Sequence, residues 1–143
     1  MWKRGLFILR RLDDGSDRKT GLSLTFIGRL RYIEMMPAEP RIGLCTVPDR
    51  DTATRIAEAL VSERLAACVN IIPAVQSVYR WKNEVEHDDE LLLLIKTSEA
   101  VWALLQERIL ALHPYELPEI ISVRIQDGHS NYLNWITNNL KTP

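Results

Sequence analysis

"ACVNIIPAVQSVYRW" (Ala67–Trp81), "KN" (Lys82–Asn83) and "EVEHDDELLLLIKT" (Glu84–Thr97) decide the fold of this chain. The two long runs are rich in β-favouring residues, and the dipeptide between them is a turn, so the unit reads as a hairpin. A dozen residues per strand at about 3.3 Å each gives arms of roughly 40 Å, longer than a small domain uses. Such arms should protrude, and their open edges invite pairing with another copy of the chain. Pro73 has no amide proton for a ladder, which puts its strand at an edge or marks a bulge. The tail "LLLLIK" is apolar on both faces and reads as a central strand.

The elements on either side of the hairpin complete a pattern. "RIGLCTV" (Arg41–Val47) is a strand stopped by Pro48. "DRDTATRIAEALVSERLA" then places Ala53, Ile56, Ala57, Leu60 and Val61 on one helical face, with Asp49 or Asp51 as cap. After the hairpin, "SEAVWALLQERILALH" repeats the helical pattern through Val101, Leu104, Leu105, Ile109 and Leu112. "EIISVRI" (Glu119–Ile125) is a fourth strand, and "SNYLNWITNNL" is a closing helix that Ser130 can cap. The order β-α-β-β-α-β plus a C-terminal helix predicts an α+β fold, the ferredoxin-like split β-α-β sandwich. Both main helices then lie on one face of an antiparallel sheet, and the other face needs cover.

The 143 residues suffice for one domain with a proper core. Charge is uneven, with eight Lys/Arg against five Asp/Glu up to Pro40 and ten against fourteen from Arg41 onward. An acidic body without a clustered basic face argues against nucleic acid as a partner. Membrane insertion is not expected either, because no apolar run approaches the roughly 20 residues a spanning helix needs. "GLFILRRL" is short and is followed by Asp13 and Asp14, unlike a signal peptide. Two cysteines, Cys45 and Cys68, are too few for a disulfide framework and fit a reducing cytoplasm. Residues 1–40 are an N-terminal extension, read either as a mobile arm or as sequence upstream of a natural start at Met35 or Met36. The domain proper is 41–143.

Five segments carry a resemblance: "RLAACVNIIP" (Arg64–Pro73), "VYRW" (Val78–Trp81), "IKT" (Ile95–Thr97), "HPYELPEI" (His113–Ile120) and "YLNWI" (Tyr132–Ile136). Together they resemble the CutA divalent-ion tolerance family over Ile42 to Leu140. The resemblance implies a cytoplasmic, PII-like homotrimer linked to metal tolerance, with copper the metal most often proposed and no enzymatic activity. It also implies copper ligation by a first-strand cysteine, matched by Cys45, and by two adjacent histidines. His113 matches the second, and Leu112 stands where the first would be.

A thiolate and one imidazole make a weak site for a divalent ion, although Cu(I) tolerates so few ligands. Packing explains Cys45 and Cys68 well, since free cysteine is among the most buried residue types. His113 ends a helix, where a protonated ring is favoured by the last carbonyls, and Pro114 then stops it. His87 and His129 read as exposed, and would add ligands only through assembly. Lys96, Tyr115, Glu116 and Glu119 are candidates for an inter-subunit cleft taking a small ligand. Tyr79 and Trp81, near the arm's end, are candidate trimer contacts. No nucleophile and base lie in a familiar context, and Gly43 and Gly128 stand apart from any phosphate loop, so catalysis is not expected.

Overall fold

The computed structural model describes residues 39–142. The readings made for the upstream extension lie outside the described residues. Strand β1 (Pro40–Val47) leads to helix α1 (Arg50–Ser62), then strands β2 (Cys68–Trp81) and β3 (Glu84–Ser98). A 3-10 turn (Glu99–Val101) opens helix α2 (Trp102–Leu112), which is followed by β4 (Ile121–Arg124) and helix α3 (Ser130–Asn138). The four strands form one sheet in the order β2-β3-β1-β4, every neighbour antiparallel. β1 and β2 therefore run parallel on either side of β3, so the β-α-β unit is split by an inserted strand. This is an α+β fold with a four-stranded antiparallel sheet and three helices.

Local chemistry accounts for each boundary. Asp49 caps α1, its Oδ1 accepting the Thr52 amide at 2.7 Å. Glu63 closes the helix, and Arg64 takes the left-handed conformation (φ 57°) that usually falls to glycine after a helix. The Arg64 side chain donates to the carbonyls of Asn138 and Asn139, tying the end of α3 to this corner. In the hairpin, Lys82 and Asn83 both have positive φ (46° and 72°), which gives a two-residue loop of the twist that suits a tight hairpin. Pro73 satisfies both of its expectations. β2 is an edge strand, and its register shifts between Ile72 and Val75, with Ala74 at φ 62°. An extra residue on β2 absorbs the missing amide.

The core lies on one face of the sheet. Cys45 and Val47 of β1 and Leu93 and Ile95 of β3 are fully buried there, and all three helices contribute their buried residues to the same cluster. Gly43 belongs to this face too: a Cβ would sit 3.0 Å from the Trp102 ring, tighter than ordinary contact, so a side chain there would require that ring to shift. The alternate residues point the other way. Leu92 and Leu94 are half-buried, and Ile121 and Val123 of β4 are 50% and 51% exposed. The helices thus leave an apolar sheet face, as one-sided packing requires.

Some expected details differ. Val61 and Leu104 are exposed, at the margins of stripes narrower than their spacing suggested. Ser130 is the first residue of α3 rather than its cap, and no side chain caps the N-terminus of that helix. β4 pairs over four residues, not the seven of "EIISVRI".

The cap interaction holds the Asp49 carboxyl below the usual carboxylate range, chiefly through the Thr52 amide bond. A lowered folded-state pKa stabilises above the unfolded pKa, and the contribution fades as pH falls through the folded one. Asp49→Ala should therefore lower the melting temperature at pH 7, with the deficit shrinking toward pH 2. Asp49→Asn, which keeps an acceptor, should lose far less. Thermal melts across pH check both.

Candidate functional site

The segment after α2 builds the site. Pro114 cannot continue a helix, and His113 is already extended (φ −77°, ψ 135°) while its amide still bonds Ile109. The chain then crosses toward β4 through Tyr115, Glu116, Leu117 and Glu119, forming one wall of a cleft of about 720 Å³. The opposite wall is the arm. Successive strand residues face opposite sides, so Ser77, Tyr79 and Trp81 of β2 share a face, and Asp88 and Glu90 of β3 join them through the hairpin register. Thr46 of β1 lies at the base.

The cleft is acidic and aromatic. Glu90 is 7% exposed, and its Oε2 accepts the Ser77 hydroxyl at 2.6 Å. Tyr79 donates its hydroxyl to Asp88. That bond, with burial and the charges of Asp88, Glu86 and Glu90, pushes the phenol up to about 12. Tyr115 also rises to about 12, first through burial and then through Glu90. Among the described residues, none of Asp88, Glu90, Glu116 and Glu119 forms a salt bridge.

Cys45 and His113 meet at the edge of this region, on one acceptor. His113 Nε2 is 2.8 Å from the Thr46 carbonyl, and the Cys45 thiol approaches the same oxygen at 3.6 Å. Nδ1 accepts the Tyr115 amide at 3.1 Å, which leaves Nε2 as the nitrogen that carries the proton. Both ring nitrogens are thus used by backbone. His113 does end the helix, but its ring ties the cleft loop to β1 rather than serving the last helix carbonyls. Cys45 is fully buried, and burial, then Glu119 and Glu90, push its thiol up to about 12. A protonated thiol and a saturated imidazole do not fit copper in this arrangement. Among the described residues, no three His, Cys, Asp or Glu side chains are placed to hold a metal ion. His87 and His129 are exposed, and Cys68 is a half-buried free thiol.

Lys96 lies outside this groove of the single chain. It is 6% exposed, with Nζ bound to Asn70 Oδ1 and reaching the Leu94 carbonyl at 3.4 Å. It shares the face of Glu90 but stands six residues farther along β3, where Cys68 and Ile42 flank it. Tyr79 and Trp81, the candidate trimer contacts, line one groove of the single chain with Tyr115, Glu116 and Glu119. Ser77, Asp88 and Glu90 were not anticipated. Alternation counted back from the Lys82–Asn83 turn is the signal that places them on the face of Tyr79.

A family model for the CutA1 divalent ion tolerance protein matches residues 42–139. The chain belongs to this family. It is 53% identical over 96 residues to the divalent-cation tolerance protein CutA of Thermus thermophilus, covering 67% of this chain and 93% of that protein. It is 39% identical over 120 residues to the chloroplastic CutA of Arabidopsis thaliana, covering 83% of this chain and 66% of the relative. The chain spans only 54% of the length of the chloroplastic CutA 1 of rice. The solved Thermus CutA1 structure superposes with a TM-score of 0.71 at 50% identity, over 71% of this chain and 99% of that one. Rice CutA1 gives the same TM-score at 40% identity, over 73% and 95%.

Two outcomes test the geometry. Cys45 should resist maleimide in the native protein and react only on unfolding, as mass spectrometry of the labelled chain would read. His113→Ala strands the Thr46 carbonyl and the Tyr115 amide, and should cost about 1–3 kcal/mol in urea denaturation.

Proposed function

We propose that the chain acts as a non-enzymatic, ferredoxin-like homotrimer in the response to divalent metal ions, with the arm-and-loop cleft as its working site. The observation behind assembly is the apolar sheet face bearing Ile42, Leu44, Leu92, Leu94, Ile121 and Val123, opposite the face that carries the helices. Covering it removes apolar area from water at roughly 25 cal/mol per Å². The sheet also has two unlike edges, long β2 and short β4. Unlike edges join head to tail, and such contacts close into rings. A PII-like trimer of this kind puts each cleft beside a neighbouring subunit. Free thiols at Cys45 and Cys68 suit a reducing cytoplasm. Among the described residues, no helix is long and apolar enough to cross a membrane.

Copper contact through Cys45 and His113 is the rival reading, and their meeting at the Thr46 carbonyl is the observation that favours it. Against it stand the buried protonated thiol and the two engaged ring nitrogens.

Light scattering should give three times the chain mass. Adding charge to the uncovered face with Ile121→Asp and Val123→Asp should drive the protein toward monomer. A wild-type monomer would remove the assembly reading. Anaerobic Cu(I) and aerobic Cu(II) titrations of wild type, Cys45→Ala and His113→Ala should show no tight site that both substitutions abolish. Tight binding near one ion per subunit, lost in both variants, would restore the rival.

A further inference from the structure

We infer that the His113 ring is a proton-sensitive latch on the 113–120 loop: in its neutral form it holds that loop against β1, and a proton taken up at Nδ1 releases it. Only bonds within one chain carry this inference, so it stands apart from the assembly reading.

The latch sits where the sheet runs out. β4 pairs with β1 only from Arg41 to Leu44, so beyond Leu44 no strand lies beside β1 on that side. There the His113 ring takes a strand's place, with Nε2 2.8 Å from the Thr46 carbonyl. Its other nitrogen, Nδ1, accepts the Tyr115 amide at 3.1 Å. A donor at one nitrogen and an acceptor at the other is the pattern of neutral imidazole, whereas imidazolium donates at both. A proton from solvent arriving at Nδ1 therefore sets one N–H against another. The Thr46 bond survives that proton and the Tyr115 bond does not, so the release falls on the loop.

Little else restrains this segment. Among the described residues, 114–119 enter no backbone–backbone hydrogen bond. Pro114, Tyr115, Glu116, Leu117 and Glu119 are all exposed. Beyond the ring, the Tyr115 hydroxyl bonds Glu90 across the cleft. A segment with so few buried contacts opens at low free energy, and the loss of one bond shifts its equilibrium.

Charged and titratable groups reach the ring from several elements. Arg55 of α1 donates through Nη2 to the Leu112 carbonyl at 3.2 Å. Cys45 of β1 keeps its thiol protonated, with Glu119 of the loop and Glu90 of β3 acting on it. The Tyr115 ring lies 5.0 Å from the imidazole, centre to centre. Arg55 opposes a second positive charge nearby, and the two carboxylates favour one. These groups bear on the pH at which the ring takes its proton, not on which bond that proton breaks. The released loop carries one proton more than the latched one, so its population rises as pH falls, by up to about tenfold per pH unit.

The test is NMR of the wild-type protein between about pH 8 and pH 5, the range in which imidazoles change charge. Ring nitrogen shifts report the tautomer, and exchange of the Tyr115 amide, corrected for its intrinsic pH dependence, reports the latch. The expected result is a neutral ring with its proton on Nε2 at the alkaline end. Protection of the Tyr115 amide should then fall about tenfold or more as the ring protonates, while the His113 amide, bonded to Ile109 within the helix end, stays protected. His113→Asn offers an acceptor oxygen near the place of Nδ1 and takes up no proton, so its Tyr115 protection should stay level across the range. A proton on Nδ1 at the alkaline end, a ring that stays neutral to the acid end, or unchanged protection while the ring protonates would each overturn the latch. All three are read on wild type and do not depend on the variant folding. An equal fall in His113→Asn would overturn it too. A monomeric wild type in light scattering would remove the assembly reading and leave the latch untouched.

Discussion

β3 is paired on both sides from Leu92 to Lys96, to β1 through Leu91–Ser98 and to β2 through Glu84–Lys96. Nearly every other feature follows from that insertion. Because β3 splits β1 from β2, α1 must cross over it, and both central strands turn Cys45, Val47, Leu93 and Ile95 toward the helices. The same pairing aligns the opposite residues into a second face with no helix of its own. The register that buries Leu93 is also the one that carries Glu90 and Asp88 out along the arm to Ser77 and Tyr79. Core, uncovered face and cleft are thus set by a single ladder.

The arm and the loop form a site because two chain terminations cooperate. Pro114 ends α2 and releases the chain, and the His113 ring then fixes the released loop by bonding the Thr46 carbonyl with one nitrogen and accepting the Tyr115 amide with the other. At the far side, the Lys82–Asn83 turn fixes which arm residues look inward. The histidine that sequence alone makes a candidate ligand thus shapes the cleft. Glu90 and Glu119 also influence Cys45, whose thiol they help to hold protonated. The acidic cleft and the buried cysteine are therefore one electrostatic neighbourhood.

The sequence by itself determined the element order, the α+β class, the family, an edge or a bulge at Pro73, and a cap at Asp49 or Asp51, between which the structure chose Asp49. These depend on periodicity, on proline's missing amide and on short-range capping, all of which operate within a few residues. Only the tertiary structure decided that Tyr79 and Trp81 line one groove with Tyr115, Glu116 and Glu119, that Ser77, Asp88 and Glu90 complete it, and that Lys96 pairs with Asn70 elsewhere. Those outcomes depend on strand register and on where a loop folds back. His113 and Thr46 stand 67 residues apart, and no local pattern announces that a ring will saturate both its nitrogens on backbone across that distance.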